Sequence, residues 1–152
     1  MARVPFTVVV VLHHSAPELA ALLRSLDAHL DARPQLVLVD TGSDDGGATA
    51  AADWGADVIE RRDNPGFGAA SNAGVARAQH PITVLLNPDC ELLDGSLATL
   101  ARRAADRPDA LHAPRLLDTD GGVQRSAHPV PGTVGALAAA AHAPKTSPAA
   151  SY

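Results

Sequence analysis

Short aliphatic runs alternate with stretches of helical spacing along this chain, and that alternation limits the possible folds more than any other feature. The first run, Val8-Val9-Val10-Val11-Leu12, is continuous and β-branched. It is too short for a helix and has the character of a strand covered on both faces. Ser15-Ala16-Pro17-Glu18 follows: an N-cap serine, a proline in the first turn and a Glu three positions after the cap, which predicts a capping box. Leu19, Leu22, Leu23, Leu26 and Leu30 then form one apolar stripe at helical spacing, and Arg33-Pro34 ends the helix. The second strand is Leu36 to Val39, terminating at Asp40.

The alternation continues with a helix over Ala48 to Trp54 closed by Gly55, and a strand over Asp57 to Arg61. A helix is predicted over Ala69 to Gln79, with Gly74 a weak point inside it. Ile82 to Leu86 is the next strand, running into Asn87-Pro88-Asp89, and Ser96 to Arg107 is a helix stopped by Pro108. Arg115-Leu116-Leu117 and Val123-Gln124-Arg125, joined through Asp118 to Gly122, predict a hairpin. The expected fold class is α/β: a mostly parallel sheet with helices on both faces. The domain expected spans residues 1–131. Residues 132–152 read as an Ala- and Pro-rich tail with a possible helix over Val134 to Ala143.

Composition narrows the function classes. With 152 residues the chain is long enough for one well-buried core, and 46% apolar against 19% charged residues is a globular balance. A net charge of −5 and only 3% aromatics leave neither the basic footprint nor the stacking platforms of a nucleic-acid binder. A single cysteine, Cys90, excludes an internal disulfide framework and fits a reducing compartment. No apolar run approaches the roughly 20 residues that cross a bilayer. Met1 to Leu12 has no clean small-residue cleavage site and reads as a buried first strand, so the expectation is a cytoplasmic protein.

Open parallel sheets bind ligands beyond the carboxyl ends of their strands. Here those ends carry His13-His14-Ser15, Asp40-Thr41-Gly42-Ser43-Asp44-Asp45-Gly46 and Asn87-Pro88-Asp89. Asp40 is either a loop cap or an acceptor for N–H groups of a base or for ribose hydroxyls. Asp89 is either a turn-former after Asn-Pro or a hard oxygen ligand for Mg²⁺ or Mn²⁺. The glycines of Asn64-Pro65-Gly66-Phe67-Gly68 make a turn before a helix or let backbone N–H groups approach an anion. A dinucleotide fingerprint is missing, because the loop after the first strand has no glycine and Ser71 stands where Gly or Ala is needed. Adjacent histidines on an extended segment point in opposite directions, which argues against His13 and His14 as a metal pair. Cys90 has no activating base and reads as a small buried residue.

Taken together, three blocks resemble the donor-binding half of family 2 glycosyltransferases: Leu38 to Gly46, Asn64 to Gly74, and Leu85-Leu86-Asn87-Pro88-Asp89. A fourth, Pro114 to Gln124, is similar to the rhamnosyltransferase-like branch. The resemblance implies a GT-A fold and inverting transfer of a sugar, rhamnose in that branch, from a dTDP- or UDP-sugar to an acceptor hydroxyl. It also implies a polysaccharide or lipid-linked glycan as acceptor, as in cell-wall synthesis, with a lipid-linked substrate drawing the protein to the membrane periphery. Carried across, His13, Asp40, Gly42, Asn64, Gly66, Gly68 and Asn72 bind the nucleotide-sugar. Asp89 matches the last acid of the family's metal motif, with Asn87 in its first acidic place, so Asp89 alone holds Mg²⁺ or Mn²⁺ on the protein side. The family's base and acceptor site lie further along a longer chain, so the expectation is a chain truncated after its donor half. Asp118, Asp120 and His128 are available acids or bases, and none is assigned a catalytic role. The rival expectations are a non-catalytic remnant that binds nucleotide-sugar or a protein partner, and a Rossmann oxidoreductase.

Overall fold

A computed structural model of the chain describes residues 4–124. The predicted tail over 132–152 and His128 lie outside the described residues. The chain divides into two compact units, the first ending at Pro114 and the second beginning at Arg115. In the first unit the elements run β1 (Thr7–Leu12), α1 (Ala16–His29), β2 (Gln35–Asp40), α2 (Gly47–Trp54), β3 (Asp57–Glu60), α3 (Phe67–Val75), β4 (Thr83–Leu86) and α4 (Ser96–Asp106). The strands form one sheet in the order β3-β2-β1-β4, with every pairing parallel. The expected α/β class is what the chain adopts.

Strand alternation divides the core into two unlike layers. Val8, Val10, Leu12, Leu36 and Leu38 face one side and cluster with Leu19, Leu22, Leu23 and Leu26 of α1, Ala51 of α2, and Leu97 and Ala101 of α4. Each fully buried Leu or Val contributes about 1.5–3 kcal/mol over its exposed state, so the stripe on α1 is the main anchor of this layer. On the opposite face α3 returns the chain from β3 to β4, across β2 and β1. Gly74 lets it lie close there: a Cβ at that position would stand 2.4 Å from Val9 Cγ1 and 3.2 Å from Val39 Cγ2. The weak point expected at Gly74 is thus the contact that sets the helix-to-sheet spacing.

Helix α3 starts and stops two to four residues earlier than the apolar pattern predicts. Gly66, at φ +85°, opens it. Its end is set by Gln35 on β2, whose Nε2 donates to the Arg77 carbonyl (3.0 Å) and whose Oε1 accepts from the Gln79 N–H (2.8 Å). The same Oε1 accepts from the Thr7 hydroxyl at 2.6 Å. The predicted capping box at Ser15 does not form. Ser15 Oγ donates to the His13 carbonyl instead, and the start of α1 is served by a more distant carboxylate described below.

A surface clasp joins the C-terminal ends of α1 and α2. Arg33 forks onto Asp27 (2.7 and 2.8 Å), donates to the Trp54 carbonyl (2.6 Å) and lies 4.5 Å over the Trp54 ring, whose Nε1 donates to Asp27 (3.0 Å). The Arg33 guanidinium first, and Trp54 second, hold the Asp27 carboxyl below the usual carboxylate range despite some desolvation. In the second unit the predicted hairpin is one antiparallel bridge, Leu117 to Val123, around a turn with Gly121 at φ +82°. Asp118 N–H donates to the Gly122 carbonyl there.

Candidate functional site

The site is built at the carboxyl ends of the strands, where chain order reverses around β1. Asp40 closes β2 and is 6% exposed. Its Oδ1 accepts the Ser43 N–H at 2.9 Å, and Gly42 takes φ +101° to make that turn. Its backbone carbonyl accepts the Arg61 N–H at 2.7 Å, which fixes the end of β3 beside it. The β2–β3 register pairs Asp40 with Glu60, and Glu60 meets Arg62 across 3.3 Å. Between these groups and the start of α2 opens a cavity of about 560 Å³, lined among others by Asp40, Ser43, Thr49, Glu60 and Arg62.

One carboxylate organises the helix starts around this cavity. Asp45 accepts the Ala16 N–H at 2.9 Å through Oδ2 and the Gly47 N–H at 3.1 Å through Oδ1. It therefore caps α1 from 29 residues away and holds the first residue of α2 with the same group. Desolvation raises its pKa, but the Ala16 and Gly47 N–H groups, with His14 nearby, outweigh that and hold the carboxyl below its ordinary range.

The histidines do not point in opposite directions as an extended segment requires. His14 adopts φ +48°, in the left-handed region, and the two rings meet edge to face with centroids 4.6 Å apart. The β2–α2 loop holds that conformation: the His14 N–H donates to Ser43 Oγ at 2.9 Å, and His14 Nδ1 lies 3.3 Å from Asp44. Thr41 Oγ1 donates its hydrogen to the Leu12 carbonyl (2.9 Å) and stands 3.2 Å from His13 Nδ1. With that hydrogen committed to Leu12, the Thr41 oxygen is left to accept from the neighbouring ring nitrogen.

The other expected site residues fall around this centre. Gly42 lines the cavity with Asp40; His13, Asn64, Gly66, Gly68, Asn72 and Asp89 stand outside its lining. Asn64, at φ +39°, donates its N–H to the Arg61 carbonyl and turns the chain toward α3. No side chain caps the Gly66 end of α3, and a Cβ at Gly68 would meet open space. Asn72 is exposed on α3. Ser71 is buried, and its hydroxyl has no hydrogen-bond partner among the described residues. Asp89 projects, exposed, from the turn that Cys90 N–H closes on the Asn87 carbonyl at 3.2 Å. That turn hangs from β4, the neighbour of β1 on the side away from β2. The Leu92 N–H then donates to Ser25 Oγ, tying the segment to α1. Cys90 is half-buried, and desolvation first, with Asp89 beside it, pushes its thiol up, which is the setting of an inert thiol.

Glu60, Arg62 and Thr49 are cavity residues that reading the sequence missed. Glu60 had a signal: it ends a strand two positions after Val58 and shares that strand's alternation. What the sequence lacks is the register that sets it opposite Asp40. Among the described residues no three His, Cys, Asp or Glu gather as a metal cluster, and no helix is long and apolar enough to cross a membrane.

Several solved structures share this fold. A mannosyltransferase from Pyrobaculum calidifontis, solved with GDP-Man and Mn²⁺, matches with TM-score 0.63 and 24% identity over 70% of this chain and 34% of its own. TarS from S. aureus with UDP-GlcNAc matches with TM-score 0.59 and 20% identity over 68% and 32%. Mannosyl-3-phosphoglycerate synthase from Rubrobacter xylanophilus gives 0.56 and 20% over 67% and 36%. The chain thus spans about a third of the length of these structures. No curated protein sequence matches it. The model of one family, glycosyl transferase family 2, covers residues 7–139, from the first residue of β1 to beyond the bridge at Val123, and the chain belongs to that family.

Proposed function

We propose that this chain is the donor-binding portion of a nucleotide-sugar-dependent glycosyltransferase. On the likeness of residues 114–124 the sugar is rhamnose, passed with inversion to a hydroxyl of a polysaccharide or lipid-linked glycan. The observation that carries the reading is Asp40, a buried carboxylate that lines the cavity at the β2 end with one oxygen hydrogen-bonded and the other open. A carboxylate so placed accepts N–H or hydroxyl donors from a nucleoside. Two similar structures hold donors of this class, GDP-Man and UDP-GlcNAc.

Asp89 fits a divalent ion of the hard type. It is exposed, makes no hydrogen bond or ion pair among the described residues, and follows the carboxyl end of β4 as Asp40 ends β2. Mg²⁺ and Mn²⁺ are held by one or two carboxylates when substrate phosphates complete the shell. When bound, such an ion supplies charge neutralisation for the departing diphosphate. The chain's own contribution is to seat the nucleoside at Asp40 and to hold the loop geometry through Ser43 and Asp45.

Calorimetry with GDP-, UDP- and dTDP-sugars, with and without Mn²⁺, tests the reading. Binding that strengthens with the ion is expected. Asp89→Asn should abolish that strengthening, and Asp40→Ala should weaken binding by about tenfold to a hundredfold, the loss of a charge-assisted hydrogen bond. No binding of any of these donors under either metal condition overturns it.

A further inference from the structure

We propose that the cavity at Asp40 selects guanine over uracil and thymine, with Glu60 and Arg62 as specificity-determining residues. The inference rests on the nucleotide-binding reading above and departs from the pyrimidine donors that the family resemblance implies. Because Asp40 and Glu60 are register partners, strand alternation sends both carboxylates to the same face of the sheet, from strands about 5 Å apart. Both line the cavity, as does Arg62. Asp40 Oδ1 accepts the Ser43 N–H, and Oδ2 accepts no hydrogen bond among the described residues. Among the described residues the Glu60 carboxylate is held only by the 3.3 Å contact with Arg62, between side chains 62% and 85% exposed. Such an exposed pair opens at little cost.

Two neighbouring carboxylates and one guanidinium form a pattern with two acceptor groups and one donor group. Guanine presents the complement: adjacent N1–H and N2–H donors beside the O6 acceptor. Uracil and thymine present one N3–H between two carbonyls. A carbonyl set against Asp40, which is 6% exposed, leaves two acceptors facing with no hydrogen between them, and a buried acceptor without a donor is a penalty. The carboxylates therefore recognise the paired N–H groups, and Arg62 turns from Glu60 to O6.

Calorimetry on the 152-residue chain with GDP, IDP, UDP and dTDP, each with Mg²⁺, tests the proposal. GDP should bind at least about tenfold tighter than UDP or dTDP, and IDP, which lacks the exocyclic amine, about tenfold weaker than GDP. Glu60→Gln and Arg62→Ala should each shrink the ratio of GDP to UDP affinity to about threefold or less. UDP or dTDP binding as tightly as GDP overturns the guanine assignment while leaving nucleotide binding intact. A GDP preference undiminished by both substitutions overturns the roles of Glu60 and Arg62. If none of the four nucleotides binds, the nucleotide reading itself has failed.

Discussion

At Asp45 one side chain decides how two helices begin. Reading the sequence assigned that task at α1 to Ser15 and Glu18, because a capping box is a local pattern. The acceptor that reaches the Ala16 N–H comes instead from the next loop, and nothing near Ser15 announces it. Asp45→Ala leaves the Ala16 and Gly47 N–H groups without their acceptor. Loss of one such cap costs about 0.5–2 kcal/mol, so the thermal midpoint should fall by several degrees. Asp45→Asn, which keeps one carbonyl oxygen, should recover part of the loss. The advantage of the wild type over Asp45→Ala depends on pH. A carboxyl with its pKa lowered in the fold stabilises fully above its unfolded value near 4, and that stability is lost as pH falls through the folded value. Urea unfolding at pH 7 and pH 3 should therefore show the gap between the two proteins narrowing in acid; an equal gap at both overturns the role of the charge. His14 follows the same logic, since its left-handed backbone is imposed by Ser43 and Asp44 from the neighbouring loop.

Among the elements, α3 shows where periodicity succeeds and where it stops. Its existence was legible from Ala69, Ala70, Ala73 and the residues around them. Its limits were not, because Gly66 fixes one end by conformation and Gln35 fixes the other from β2. Gly74 gives a test in which local and tertiary physics oppose each other. By helix propensity alone, Gly74→Ala should stabilise by roughly 0.5–1 kcal/mol. The new methyl, however, would lie 2.4 Å from Cγ1 of Val9, a stiff β-branched side chain in a fully packed strand. Overpacking of this kind costs about 1–3 kcal/mol, so net destabilisation is expected in chemical denaturation. Val9→Ala in the same chain should relieve the Gly74→Ala penalty, and additive losses in the double variant would show that the clash is not the cause.

Over the whole molecule, the alternation of strand and helix made the parallel sheet readable, since each βαβ crossover leaves a pattern that composition and spacing carry. The site was readable only where it sits in one loop: Asp40 and Gly42 were found, and Glu60 and Arg62 were not, because their nearness to Asp40 belongs to the pairing of β2 with β3. The clasp of Asp27, Arg33 and Trp54 is a tertiary feature of the same kind. Arg33 holds the Asp27 pKa down, so its contribution to stability is present above about pH 4 and disappears as pH drops through the lowered value. Both partners are substantially exposed, so solvent screening keeps the ion pair's contribution small. Asp27→Asn should thus lower stability slightly at pH 7 and by less at pH 3, with the difference reduced by salt.

The position of β1 between β2 and β4 sets a minimum length for anything that touches both acids. Asp40 and Asp89 hang from strands separated by that one intervening strand, roughly 10 Å across. A lone base is too short to bridge the gap, and the strand between the two acids ends at Leu12, just before the paired rings of His13 and His14.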